Sequence, residues 1–186
     1  MNRKLSTILM VVLAALVFVA CDGDKKKNNK QKSLSTMEEN KGDSTMYGVC
    51  GDNTGMHVLE LITVQGDTLS YVFDVEDGAT VKGGILAGDR LAVVGYKNAD
   101  GEHEATEVLN LTTLMGKWRS IDKQFELMED GTVLSGVKEE SQPWTAWKVY
   151  NGKLLLNKDT FSVNALGADS LYLENAHGIF TFTRQK

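Results

Sequence analysis

The side chains best suited to holding a ligand are Trp144, Trp147 and Tyr150, which follow the chain's one proline, Pro143. An aromatic face suits a sugar, a lipid or an apolar protein surface, and the indole N–H and phenol O–H add a polar handle. On a regular strand, residues three apart face opposite sides and residues six apart share a side. Trp144 and Tyr150 then share one face, and Trp147 and Val149 the other. We place Trp147 and Val149 in the core and Trp144 and Tyr150 on an outer ligand or partner patch; the reverse assignment satisfies the same periodicity.

Other chemistry is sparse. His57, His103 and His177 are far apart, and His103 sits in a polar hairpin tip, Asp100-Gly101-Glu102-His103-Glu104. No Cys-x-x-Cys or His-x-x-x-His occurs, so no metal site is expected. The acidic pairs Asp74-Val75-Glu76-Asp77, Glu129-Asp130 and Glu139-Glu140 lie in turn-like stretches. A glycosidase needs two carboxyls at a controlled separation in a cleft, and turn acids are usually solvated. Lys82-Gly83-Gly84-Ile85 lacks the full phosphate-loop pattern, and no serine sits in a nucleophile elbow. We therefore expect no catalytic residues and no cofactor.

The elements that must position the aromatics are strands. Period-two alternation and turn residues dominate, as in Leu69, Tyr71, Phe73 and Val75 or Leu171 and Leu173. Asn151-Gly152 is the sharpest turn signal, because both residues tolerate the positive φ of a type I′ hairpin. It predicts strands near 144–150 and 153–157. The body divides into two β units, 46–113 and 114–186. The first carries five strands, near 46–51, 56–64, 68–75, 89–96 and 105–112. Its one long connection, after the third strand, resembles an OB-type small barrel. The second carries seven or eight short strands, near 117–121, 123–128, 132–137, 144–150, 153–157, 160–165, 170–174 and 178–184. Their spacing suggests an antiparallel meander barrel. Cys50, in a strand-like run, is expected to be buried and inert.

The N-terminus is an address. Arg3 and Lys4 precede an uncharged apolar run, Leu5 to Ala20, which is short for a membrane span and fits a secretory signal peptide over 1–20. Phe18-Val19-Ala20-Cys21 resembles a bacterial lipobox, which implies acylation of Cys21 and a membrane anchor through fatty chains. Each buried CH₂ contributes about 0.8 kcal/mol to such an anchor. Residues 21–45 read as lipid anchor and disordered tether, rich in lysine and poor in apolar side chains. The whole chain carries a formal charge of −5. The body, 46–186, has 12 basic and 20 acidic residues, which argues against nucleic acid as a partner. Asp43-Ser44-Thr45 resembles a bacterial O-glycosylation pattern and makes Ser44 a candidate modification site.

Leu114-Met115-Gly116-Lys117-Trp118 carries the Gly-x-Trp that opens lipocalin-type barrels, followed by Phe125, Asp130-Gly131-Thr132, Trp144 and a closing strand from Gly178 to Arg184. The chain thus resembles the lipocalin-like lipoproteins of Bacteroides-type bacteria, in which a small β unit precedes such a segment. The resemblance implies an all-β protein, an OB-like barrel followed by a small lipocalin-like barrel, in the outer membrane of the cell envelope. It also implies that Gly116, Trp118 and Arg184 are structural, with the Arg184 guanidinium over the Trp118 indole closing the barrel. The segment is short for a lipocalin-type barrel, which implies a small interior. The function expected is non-catalytic: a binding module for a small apolar ligand or an envelope protein. The alternatives are an envelope sensor or assembly factor acting through protein contacts, and a hydrolase with an unrecognised site.

Overall fold

The structure, a computed structural model, describes residues 42–74, 79–136 and 141–186. The expected signal peptide, Cys21, the expected tether up to residue 41 and the turn acids Glu76, Asp77, Glu139 and Glu140 lie outside the described residues.

Two barrels follow one another. The first is built from β1 (Met46–Cys50), β2 (Val58–Thr63), β3 (Thr68–Val72), β5 (Arg90–Lys97) and β6 (His103–Asn110), with β4 (Thr80–Lys82) beside β6. Strand β1 pairs with β2 and β5, β2 with β3, and β5 with β6, all antiparallel. The parallel pairing of β3 with β6, at Tyr71–His103 and Val72–Glu104, closes the ring. This five-strand circuit with its one parallel seam is the OB arrangement. Its interior holds Leu59, Leu61, Tyr71, Leu91, Val93, Ala105 and Val108. Cys50 is buried there, and its thiol donates to Thr54 Oγ1 at 3.2 Å.

The second barrel comprises β7 (Gly116–Arg119), β8 (Gln124–Leu127), β9 (Val133–Ser135), β10 (Trp147–Tyr150), β11 (Lys153–Leu156), β12 (Asp159–Leu166), β13 (Ser170–Asn175) and β14 (Gly178–Arg184). Each strand pairs antiparallel with its chain neighbour except β9 with β10, and β14 returns to β7. Between β9 and β10, among the described residues, the wall is bridged by the isolated pair Thr132–Ala146 and by backbone bonds such as Trp147 N–H to Gly131 O rather than by a strand ladder. The barrel is therefore nearly closed. Asn151 (φ 47°) and Gly152 (φ 75°) make the expected hairpin turn between β10 and β11.

A single helical turn, α1 (Leu111–Leu114), joins the barrels. Buried Asn110 caps it, accepting from Thr113 N–H, while its amide donates to Gly84 O and Asp89 Oδ2. The second barrel's apolar core extends across the seam: Ala92 and Leu109 of the first barrel join the cluster that holds Leu111, Leu114, Trp118 and Val149. Polar links reinforce it, from Gly83 N–H to Leu166 O at 3.1 Å and between Arg90 and Glu129.

Tyr47 crosses the same seam, donating its hydroxyl to Val149 O at 2.6 Å. Burial first, then the Asp43 carboxylate, pushes its ionisation well above the ordinary phenol range. With the folded value raised, the unfolded chain ionises first. The stability tied to this group is present below about pH 10 and is lost as pH rises beyond it. Tyr47→Phe is expected to cost about 1 kcal/mol at neutral pH and to flatten the alkaline loss. Urea unfolding of both proteins from neutral pH to pH 11 reads this; parallel pH curves would contradict it.

The tether expectation fails at its end. Residues 42–45 are not a free spacer but dock on the β10–β11 hairpin. Asn151 N–H donates to Asp43 Oδ1 at 3.0 Å, and Asn151 Nδ2 donates to Gly42 O at 3.1 Å. Ser44 N–H and Oγ both donate to Asn151 Oδ1. Low hydrophobicity predicted disorder, but Gly42, Asp43 and Ser44 are held by polar contacts to Asn151, and Thr45 is buried with its N–H donating to Asp43 Oδ1.

Candidate functional site

An up-and-down barrel puts alternate turns at opposite ends. At one end lie Gly116, the Glu129–Gly131 turn, the Asn151–Gly152 turn, the Leu166–Ser170 turn and Arg184. This end meets the first barrel and is sealed. Trp118 is fully buried, its indole N–H donates to Leu114 O at 2.8 Å, and the Arg184 guanidinium lies 4.1 Å from the centre of its ring. Arg184 also donates to Ala168 O (2.5 Å), Met115 O (2.8 Å) and Thr113 O. The pair therefore closes the barrel and caps the last carbonyls of α1 together. Burial draws the Arg184 pKa down, partly offset by Asp169, but a guanidinium stays charged in a protein. Gly116, at φ 115°, lies so close that an added Cβ would sit 2.7 Å from Arg184 Nη1.

The other end is open. The Ser120–Lys123, Asn157–Lys158 and Asn175–Gly178 turns and residues 141–146 surround a cavity of about 460 Å³. Its apolar wall is aromatic: Trp144, Phe161, Phe180 and Phe182. These rings meet edge to face, Trp144 on Phe161 at 5.7 Å, Phe161 on Phe180 at 5.7 Å, and Phe125 beneath on Trp144 and Phe182. The rim is polar, with Asp122, Lys123, Asp159, Asn175 and His177 among its residues. Below the aromatics the barrel is filled by Trp118, Leu154, Leu156, Val163 and Leu171. Such a volume, apolar inside and polar at the lip, is the size of a small-molecule site.

Trp144 is positioned from outside the sheet. Asn157, in the left-handed region at φ 55°, accepts from Thr145 N–H, Thr145 Oγ1 and Ala146 N–H, and donates to Pro143 O. This clamp bends residues 143–146 over the mouth. The indole N–H then donates to Asp159 Oδ2 at 3.1 Å, and Lys123 Nζ covers the ring at 4.1 Å.

The outer patch read from the sequence is therefore corrected. Trp147 and Val149 are buried as the adopted assignment had it, but Trp144 is only 8% exposed and does not share an outer face with Tyr150. Strand β10 begins at Trp147, so period-two parity does not extend back to residue 144. Tyr150 is half-buried at the sealed end, beside Gly42 and with Lys148 Nζ 5.3 Å from its ring. Ser44 is exposed, yet its hydroxyl donates to Asn151, and a glycan there would replace that donor.

Sequence reasoning missed Phe161, Phe180 and Asp159 as lining residues. The alternation of Phe180, Phe182 and Arg184 on the closing strand was the available signal, since it aims all three at the interior. Among the described residues, no helix is long and apolar enough to cross a membrane, and no three His, Cys, Asp or Glu side chains cluster as metal ligands would.

Fold and site together define a two-barrel all-β protein with one sealed and one open barrel end. Comparison with protein-family models, curated proteins and solved structures finds no match.

Proposed function

We propose that this chain is a non-catalytic binding module of the bacterial cell envelope, anchored through an acylated Cys21, that holds a small apolar ligand in the open end of its second barrel. The aromatic cavity of about 460 Å³ carries the reading. Phe180 is more than one-third exposed although it points inward, because the space before it is not filled by the protein. A lipocalin-like relationship and an outer-membrane address belong to the same proposal and rest on the Gly-x-Trp opening and the lipobox.

The test uses N-phenyl-1-naphthylamine, a small apolar fluorophore, titrated into the full chain. We expect saturable uptake and quenching of indole emission. Phe180→Glu places a charge against the aromatic wall and should weaken uptake about tenfold or more, since an unpaired charge in an apolar site is costly. Uptake that is absent, or indifferent to Phe180→Glu, would overturn the reading.

Protein contact is the second reading, and one observation favours it. Val49, Ile62 and Val64 form the exposed wall of a shallow apolar groove of about 140 Å³ on the first barrel.

A further inference from the structure

We infer that the open end of the second barrel docks on a lipid bilayer through Ile121 and Ile179. The inference rests on the binding reading for what the cavity does there, and on Cys21 for the nearness of a membrane. The apolar tips themselves are independent of both.

Ile121 is 100% exposed, at the tip of the β7–β8 turn. Ser120 builds that turn: its N–H donates to Lys123 O, and its Oγ accepts from Asp122 and Lys123 N–H. Position 121 thus needs only a solvated turn residue, for which Gly, Asn, Asp or Ser is the usual choice. An isoleucine there gains nothing from the turn and nothing from packing. Ile179, 64% exposed, follows the β13–β14 turn on β14, the strand paired with β7 at Thr183–Arg119. Tyr172 lies exposed on β13, opposite Thr181. Two apolar side chains, one on the β7–β8 turn and one at the start of β14, therefore stand outside the mouth, with Tyr172 lower on the outer wall of β13, and Phe180 continues the apolar surface inward. Isolated exposed apolar residues are ordinary, but a group around a cavity mouth marks an interaction surface.

Chain length favours lipid as the occupant. Twenty residues, 22–41, separate Cys21 from the docked segment at Asn151, and extended they span up to about 70 Å. The eight-residue β12 spans about 27 Å. The anchor can therefore reach around the body and hold the mouth against the membrane at high effective concentration. Aliphatic tips at the rim, with a tyrosine lower on the outer wall, match a shallow insertion that leaves the aromatic near the headgroup level, where Tyr is favoured.

The test uses the full-length acylated protein in phosphatidylethanolamine–phosphatidylglycerol vesicles whose acyl chains carry bromine. Ile121→Trp is compared with Met56→Trp, at an exposed site on the first barrel. We expect the indole at position 121 to be quenched several-fold and blue-shifted, and the one at 56 to stay water-like. Equal, water-like emission from both overturns the inference. A double variant, Ile121→Asp with Ile179→Asp, should slow transfer of the naphthylamine from vesicles into the protein, with uptake from water unchanged. Unchanged transfer overturns the inference as well. Loss of uptake from water in the unmodified protein, with quenching at 121 intact, instead removes the cavity reading and leaves bilayer docking standing.

Discussion

Trp118→Ala is expected to lower the unfolding free energy by about 3–5 kcal/mol, the range for deleting a large aromatic from a packed interior. Trp118 is fully buried where β7 starts the second barrel. Truncation removes its packing on the shared core, orphans the Leu114 carbonyl and takes away the ring under Arg184. The remaining cavity is walled by strands fixed in register at Trp118–Phe125 and Trp118–Arg184, so it closes poorly. Domains of this size hold only about 5–15 kcal/mol in reserve, so the loss is a large fraction of the whole. Trp118→Phe keeps most of the packing and loses the N–H bond, and should cost about 1–2 kcal/mol. Urea unfolding followed by far-ultraviolet circular dichroism measures both. An Ala variant within 1 kcal/mol of the parent would mean that the buried indole does not hold the barrel.

This prediction leans on a residue that the sequence singled out, and the reason it could do so is local. Gly-x-Trp, Asn151-Gly152 and the alternation of β13 and β14 are short-range patterns, and the strands they predict lie close to those observed. The five-strand circuit of the first barrel was legible for the same reason, because hairpins and one long connection leave few ways to close. What escaped depends on distant partners. Strand β4 is three residues long and exists because Thr80, Val81 and Lys82 pair in parallel with Glu107, Val108 and Leu109. No local pattern announces such a pairing. Helix α1 is one turn, below the length at which a 3.6-residue period can be seen.

The candidate site was less legible than the fold. Its aromatic types could be named, but their arrangement depends on where β10 starts, and that is set by Asn157 from the next hairpin. The parity rule holds on a strand and says nothing one residue before it. Likewise, the docking of residues 42–44 on Asn151 joins positions more than a hundred apart through side-chain amides and carboxylates, which composition alone does not reveal. Sealing and opening of the barrel ends is a third such property. It follows from which turns face the first barrel, and hence from Tyr47, Gly83 and Arg90 across the seam.

Arg184→Ala should cost about 2–3 kcal/mol, second only to the loss of Trp118. The guanidinium spans three carbonyls from two segments, Thr113 and Met115 at the end of α1 and Ala168 before β13, and covers the indole as well. Hydrogen bonds from a charged group contribute more than neutral ones, but the side chain is only half-buried, so water recovers part of the loss. Arg184→Lys keeps the charge and cannot reproduce a planar fork, so it should restore less than half. The decisive measurement is a double-mutant cycle with Gly116→Ala. Alone, that change meets a positive φ and a contact 2.7 Å from Arg184 Nη1. Its cost is expected at about 1–3 kcal/mol. With Arg184 already removed, the backbone strain remains and the contact is gone, so the two losses should fall short of their sum by about 1 kcal/mol. Additive losses would show that glycine is required at 116 for its backbone alone. A coupling of the expected sign would show that Gly116 is there to admit the arginine that seals the barrel and fixes α1 between the two halves.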